Sequence, residues 1–164
     1  MTTRSIASRR RFVQLASTAF VGTILLGPGT GVRPARADDV IQSQDTNIGG
    51  IVAEITQVKR KEGVLTIKMR LRNSGNDKVY TVVVDSGGGY DKYYLTAGDK
   101  KYFILRDTEK KPLAAGDGDT VNPTIEKGAT YTWWAKFAAP PADVKSITVY
   151  TPISAPFEDL PITD

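Results

Sequence analysis

The chain contains neither histidine nor cysteine. That removes Ser-His-Asp and Cys-His nucleophiles, His- or Cys-ligated zinc and copper, and His-ligated haem. The chemistry left is carboxylate acid-base work, an oxygen-ligated cation, or contact through aromatic surfaces. Asp85, Asp91, Asp99, Asp107, Glu158 and Asp159 are scattered, and no pair of them stands out as a two-carboxylate site. Gly116-Asp117-Gly118-Asp119 resembles part of a calcium loop, but the EF-hand pattern requires a Glu eleven residues after Asp117, where Gly128 stands. The segment reads as a hairpin tip. Gly87-Gly88-Gly89 has no Lys-Ser/Thr and no helix after it, so it is not a phosphate loop. No catalytic residue, metal site or cofactor is expected.

Trp133 and Trp134 are neighbours in a strand-like run and must face opposite sides of it. Tyr131, Trp133, Ala135 and Phe137 form an apolar face and are expected in the core. Trp134 falls among Thr130, Thr132 and Lys136 on the outer face. It is either covered by a loop or a Lys or Arg stem, or it is part of a binding surface. The surface reading groups Trp134 with Tyr90, Tyr93 and Tyr94 as a platform for a sugar or peptide. The alternative for the tyrosines is ordinary strand packing with the hydroxyl at the rim.

These residues sit in a chain of short strands. Ile51, Ala53 and Ile55 share a face in a strand reaching about Val58. Lys59-Arg60-Lys61-Glu62-Gly63 reads as a solvated charged turn. Leu65, Ile67, Met69 and Leu71 then alternate with Thr66, Lys68, Arg70 and Arg72. Val79 to Val84, apolar on both parities, predicts a central strand covered on both sides. Tyr93–Thr96 and Tyr102–Arg106 flank a hairpin turn at Ala97–Lys101. Lys110–Val121 is loop-rich. Strands follow at Thr130–Phe137, Ser146–Tyr150 and Phe157–Ile162, with Pro140-Pro141 as a rigid connection. No apolar repeat of helical period is sustained after residue 37. The pattern predicts an all-β, antiparallel β-sandwich of about seven or eight strands.

The N-terminal segment carries an address. Ser8-Arg9-Arg10-Arg11-Phe12-Val13-Gln14 resembles the twin-arginine export signal, with Arg9, Arg10 and Phe12 in its defining positions. Leu15–Gly27 is an apolar run shorter than the roughly 20 residues a membrane span needs. Ala35-Arg36-Ala37 supplies a small-x-small cleavage pattern, so the mature chain is expected to begin at Asp38. The organisation predicted is a helical signal peptide over residues 1–37, a flexible polar linker over 38–49, and one domain over 50–164. An ordinary secretory signal is the alternative. Residues 1–37 hold six arginines and no acid, out of 22 basic residues in the chain. The remaining 127 residues therefore have 16 basic against 18 acidic side chains, a net charge of −2. The basicity belongs to the leader, which argues against a nucleic-acid partner.

Two stretches carry a family resemblance: Tyr94-Leu95 through Lys101-Tyr102-Phe103-Ile104-Leu105-Arg106-Asp107, and Thr132-Trp133-Trp134 through Val144-Lys145 to Pro156-Phe157-Glu158-Asp159-Leu160-Pro161-Ile162. Over about residues 50–162 the chain resembles bacterial exported immunoglobulin-like (telokin-like) domains of unknown function. The resemblance implies an immunoglobulin-like β-sandwich in the cell envelope and carries over no catalytic residues. The expectation is a periplasmic or secreted, non-enzymatic binding module. Its partners would be the twin-arginine translocase during export and then an envelope protein or glycan, with no permanent membrane span. The alternatives are a carboxylate- or calcium-dependent enzyme and a structural component of an envelope assembly.

Overall fold

Strict alternation on one strand organises the domain. In the computed structural model, which describes residues 40–85, 87, 89–116 and 120–164, Leu65, Ile67, Met69 and Leu71 are all buried while their neighbours point outward. Arg9, Arg10, Phe12, Ala35, Ala37 and Asp38 lie outside the described residues, as do Asp117, Gly118 and Asp119 of the calcium-like segment.

Ten strands are described: β1 Gln42–Asp45, β2 Ile51–Lys61, β3 Val64–Asn73, β4 Val79–Tyr80, β5 Tyr94–Ala97, β6 Lys100–Phe103, β7 Thr124–Ile125, β8 Thr130–Ala138, β9 Ser146–Tyr150 and β10 Phe157–Pro161. A single 3₁₀ turn, Gly89–Lys92, precedes β5. Two four-stranded antiparallel sheets, β1-β2-β3-β8 and β10-β9-β5-β6, enclose the core, and β4-β7 make a two-stranded ribbon. The fold is the all-β antiparallel sandwich that the patterning predicts, with β1 and β7 as short elements beyond the expected strands.

The turns follow from residue type. Glu62 and Gly63, the two-residue turn between β2 and β3, have φ of 51° and 78°. Positive φ at both central positions is what a type I′ hairpin needs to match strand twist. Gly98, with φ of 57°, starts the turn between β5 and β6. Between Ile55 and Gln57 the β2–β3 register shifts by a bulge. The extra residue turns Val58 back into the core, where it is buried beside Ile51, Ala53 and Ile55.

Both ends of the sandwich are stitched. The chain leaving β6 crosses to β8 through the Ile104–Phe137 bridge and Leu105 N–H to Lys136 O, 2.8 Å. The chain leaving β10 crosses to the second half of β2: Thr163 N–H donates to Val58 O at 2.9 Å, and Arg60 N–H to Thr163 O at 2.8 Å.

Three expectations are corrected. Residues 42–45, read as part of a flexible linker, form β1 on the edge of β2. Their polar side chains give no apolar alternation, and main-chain pairing recruits them. Val79–Val84 is not a central strand. Val79 and Tyr80 pair with β7 and Val84 makes a single bridge to Val121, while Tyr80 and Val82 are 73% and 55% exposed. Val83 and Val84 are buried, so the double apolar parity reflects an irregular segment with one covered side. Finally, Arg60 does not sit in a solvated turn. Past the bulge it points towards the Pro140–Val144 connection, donating to Pro141 O at 2.8 Å and to the Asp164 carboxylate at 2.7 Å.

Candidate functional site

β8 separates the two tryptophans as parity requires. Trp133 is 2% exposed and Trp134 36%. Trp133 faces Tyr93, ring centroids 4.6 Å apart. Trp134 stands on the outer face of the first sheet, directly opposite Lys68 of β3. Tyr131, expected in the core, is half-buried near the strand's beginning.

The proposed grouping of Trp134 with Tyr90, Tyr93 and Tyr94 is not what the fold assembles. Tyr90 and Tyr93 are buried in the core. The Tyr90 hydroxyl donates to Ala115 O at 2.9 Å, and the Tyr93 hydroxyl donates to Val83 O. Burial pushes the Tyr93 phenol well above its ordinary range, with Asp85 and Tyr90 adding to the shift. Tyr90 enters from the 3₁₀ turn, and Tyr93 follows the inward parity of Leu95 and Ala97. Tyr94 faces outward, but on the second sheet. Trp134 and Tyr94 therefore occupy opposite outer faces of the sandwich.

Tyr94 has other partners. The register places Tyr150 of β9 and Phe103 of β6 directly opposite it on its two sides. Tyr150 stacks on Tyr94 with centroids 4.6 Å apart and planes 11° from parallel. Phe103 is tilted, 6.2 Å away, and 49% exposed. The Lys101 ammonium lies 3.4 Å from the Tyr94 centroid and 4.9 Å from that of Phe103. The result is an outward row of three aromatic rings across three strands, with a cation lodged in it. At about 4.8 Å per strand the row is about 10 Å long. Its rings are fixed by their own stacking, so a ligand laid across them meets a surface with little freedom left to lose. Tyr150 and Phe103 lie far from Tyr94 or in an adjoining strand, and their alignment depends on register that composition does not show.

The scattered carboxylates have local roles. Asp85 accepts from Lys92 at 2.7 Å and from Gly87 N–H at 3.0 Å, and chiefly the Lys92 contact holds its carboxyl below the ordinary range. Asp91 pairs with Arg106 at 2.8 Å. Asp107 accepts from the N–H groups of Glu109 and Lys111, at 2.9 and 2.8 Å, and closes its own turn. Asp159, with φ of 51°, sits in the irregular stretch of β10 beside Glu158. Among the described residues no three His, Cys, Asp or Glu side chains gather as a cation site.

A carboxylate that sequence reasoning passed over is the most buried one. Glu54, on the outer face of β2 and 5% exposed, accepts from Arg70 Nε at 2.7 Å and Arg72 Nε at 2.9 Å. Burial pushes its carboxyl up, but the hydrogen bonds and charges of Arg72 and Arg70 more than reverse this, leaving it below the ordinary range. The signal available was the i, i+2 arginine pair on β3.

No family model matches the chain, and no curated protein does either. Among solved structures, the secreted protein MPT63 from Mycobacterium tuberculosis is similar over 73% of this chain and 95% of its own, with 14% identity and a TM-score of 0.41.

Proposed function

We propose that this chain is an exported, non-enzymatic binding module of the cell envelope that holds a glycan across the Tyr150–Tyr94–Phe103 row. The observation that carries the reading is the row itself: stacked rings on an outward sheet face, with Phe103 half in solvent. Aromatic rings grouped outside a core often mark a surface that a partner covers. Sugar rings present C–H faces that stack on aromatics and hydroxyls that accept from an ammonium such as that of Lys101. An open row suits an extended chain better than a compact metabolite, which calls for a concave pocket. The export reading rests on the Arg9-Arg10-x-Phe12 leader and on the resemblance to exported immunoglobulin-like domains.

The test is retention of the purified protein on immobilised peptidoglycan and neutral envelope polysaccharides. The wild type should be retained, and Tyr150→Ala combined with Phe103→Ala should abolish retention while leaving the melting curve in place. Absence of wild-type retention across the panel, or retention unaffected by the double substitution, overturns the reading. For export, Arg9→Lys with Arg10→Lys should leave the precursor in the cytoplasm, and normal export of that variant overturns the twin-arginine assignment.

A further inference from the structure

The other outer face has a different character. The outward residues of β1, β2, β3 and β8 include six cations: Lys59, Lys61, Lys68, Arg70, Arg72 and Lys136. The same strands put only two carboxylates there, Asp45 and Glu54. Residues 38–164 are acidic overall, at −2. The charge is thus segregated, with a basic sheet face on a domain whose remainder is acidic.

Part of this basicity is spent internally, because Glu54 pairs with both Arg70 and Arg72. Lys59, Lys68 and Lys136 make no ion pair among the described residues. Lys68 and Lys136 both adjoin Trp134, one across the strand pair as its partner on β3 and the other two residues along β8 on the same face. Along β3 the charges recur at every second residue, about 6.6 Å apart.

We infer that this face binds an extended anionic polysaccharide, with Trp134 stacking on a sugar ring while Lys68 and Lys136, beside it, meet carboxylates of the chain. Charge complementarity selects the partner's sign. Trp134 supplies a ring to stack on and Lys68 and Lys136 supply ammonium groups without an ion pair beside it, a combination that suits a charged sugar chain. A membrane surface fits less well. Among the described residues of β1, β2, β3 and β8, Trp134 is the one exposed large apolar side chain, with Ile41 just before β1 at 37%, and at 36% exposure Trp134 lies largely flush with the surface rather than projecting as a wedge. The inference is independent of the aromatic row on the second sheet.

The experiment measures binding of the full chain to polygalacturonate at three salt concentrations. Neutral dextran, phosphatidylglycerol vesicles and single-stranded DNA serve as competing arms. Saturable polygalacturonate binding that weakens with salt is expected. Lys68→Ala with Lys136→Ala should weaken it tenfold or more and flatten the salt dependence. Trp134→Ala should weaken it several-fold with the salt dependence kept. Lys100→Ala with Lys145→Ala, off this face, should change nothing. Loss of binding in the off-face pair to the same degree overturns the proposal, because it would report bulk charge. So does tighter binding to vesicles or DNA than to polygalacturonate, or no binding at all.

Discussion

Glu54→Gln isolates the strongest electrostatic feature of the domain. The substitution keeps the side-chain shape but replaces the carboxylate that accepts from Arg70 at 2.7 Å and Arg72 at 2.9 Å. Each ionic hydrogen bond of this kind contributes about 1.5–3 kcal/mol net. The amide oxygen can keep one of them. The amide NH₂ then faces the other guanidinium, donor against donor. Removing one partner of a fully buried pair costs about 3–5 kcal/mol, but here the arginine side chains are 23% and 42% exposed and water can reclaim them. The expected loss is about 2 kcal/mol at pH 7, or about 1 M in urea midpoint for a slope near 2 kcal/mol per M. The pH dependence follows from the depressed carboxyl. Such an acid contributes stability that is present above its unfolded value, about 4.3, and is lost as pH falls through the lower folded value. The gap between wild type and variant should therefore be full at pH 7 and narrow below pH 4. Urea titrations at pH 7 and pH 2.5 make the comparison. A midpoint loss below about 0.3 M at pH 7, or a gap of the same size at both pH values, refutes the account of Glu54 as an ionised anchor for two arginines.

Two further outcomes concern the core and the turns. Tyr93→Phe keeps the ring against Trp133 but leaves the buried Val83 carbonyl without its donor; it should cost about 1–3 kcal/mol by urea denaturation, and an unchanged midpoint would contradict the buried hydrogen bond. The two glycine substitutions Gly63→Ala and Gly116→Ala should differ. An added Cβ at Gly63 meets nothing within 4 Å, so only its positive φ is penalised, by about 1 kcal/mol. At Gly116 the Cβ would lie 2.5 Å from Val121 Cγ2 and 2.8 Å from the Tyr90 hydroxyl, adding a clash to the φ of 113°, and the loss should exceed about 2 kcal/mol. Equal losses in thermal melts would count against this packing around Tyr90.

The strands that were legible are those with one wet and one dry face. β3 alternates without a break from Leu65 to Arg72, and β8 sorts Trp133 from Trp134 by parity alone. β1 was not legible, because Gln-Ser-Gln-Asp carries no apolar face and is held by its backbone and by Gln44 Nε2 donating to Pro156 O at 3.1 Å. Arg60 was misplaced because a bulge two turns of the pleat earlier reverses the parity of everything after it. The candidate surfaces show a similar limit. Tyr94 could be singled out, but its alignment with Tyr150 and Phe103 is a matter of register between strands distant in the chain. Net charge hid the basic face because a sum over the chain erases where the charges stand.

The crossing of the chain from β10 onto β2 also sets the order in which the molecule can be completed. β2 is made well before β10 and the residues that follow it, so the second half of β2 waits for the segment that covers it. Val58 and Thr163, joined by two hydrogen bonds from Thr163 to the same carbonyl, are 105 positions apart. Until that segment docks, this stretch of β2 keeps an open edge, and the Arg60 guanidinium lacks the Asp164 carboxylate. Closure of so non-local a contact comes late and is slow compared with forming the β2–β3 hairpin. Without that contact the hairpin and most of the core would stay in place, but the second half of β2 would present a bare edge to its neighbours. The docked segment therefore protects β2 from pairing with another chain along that edge.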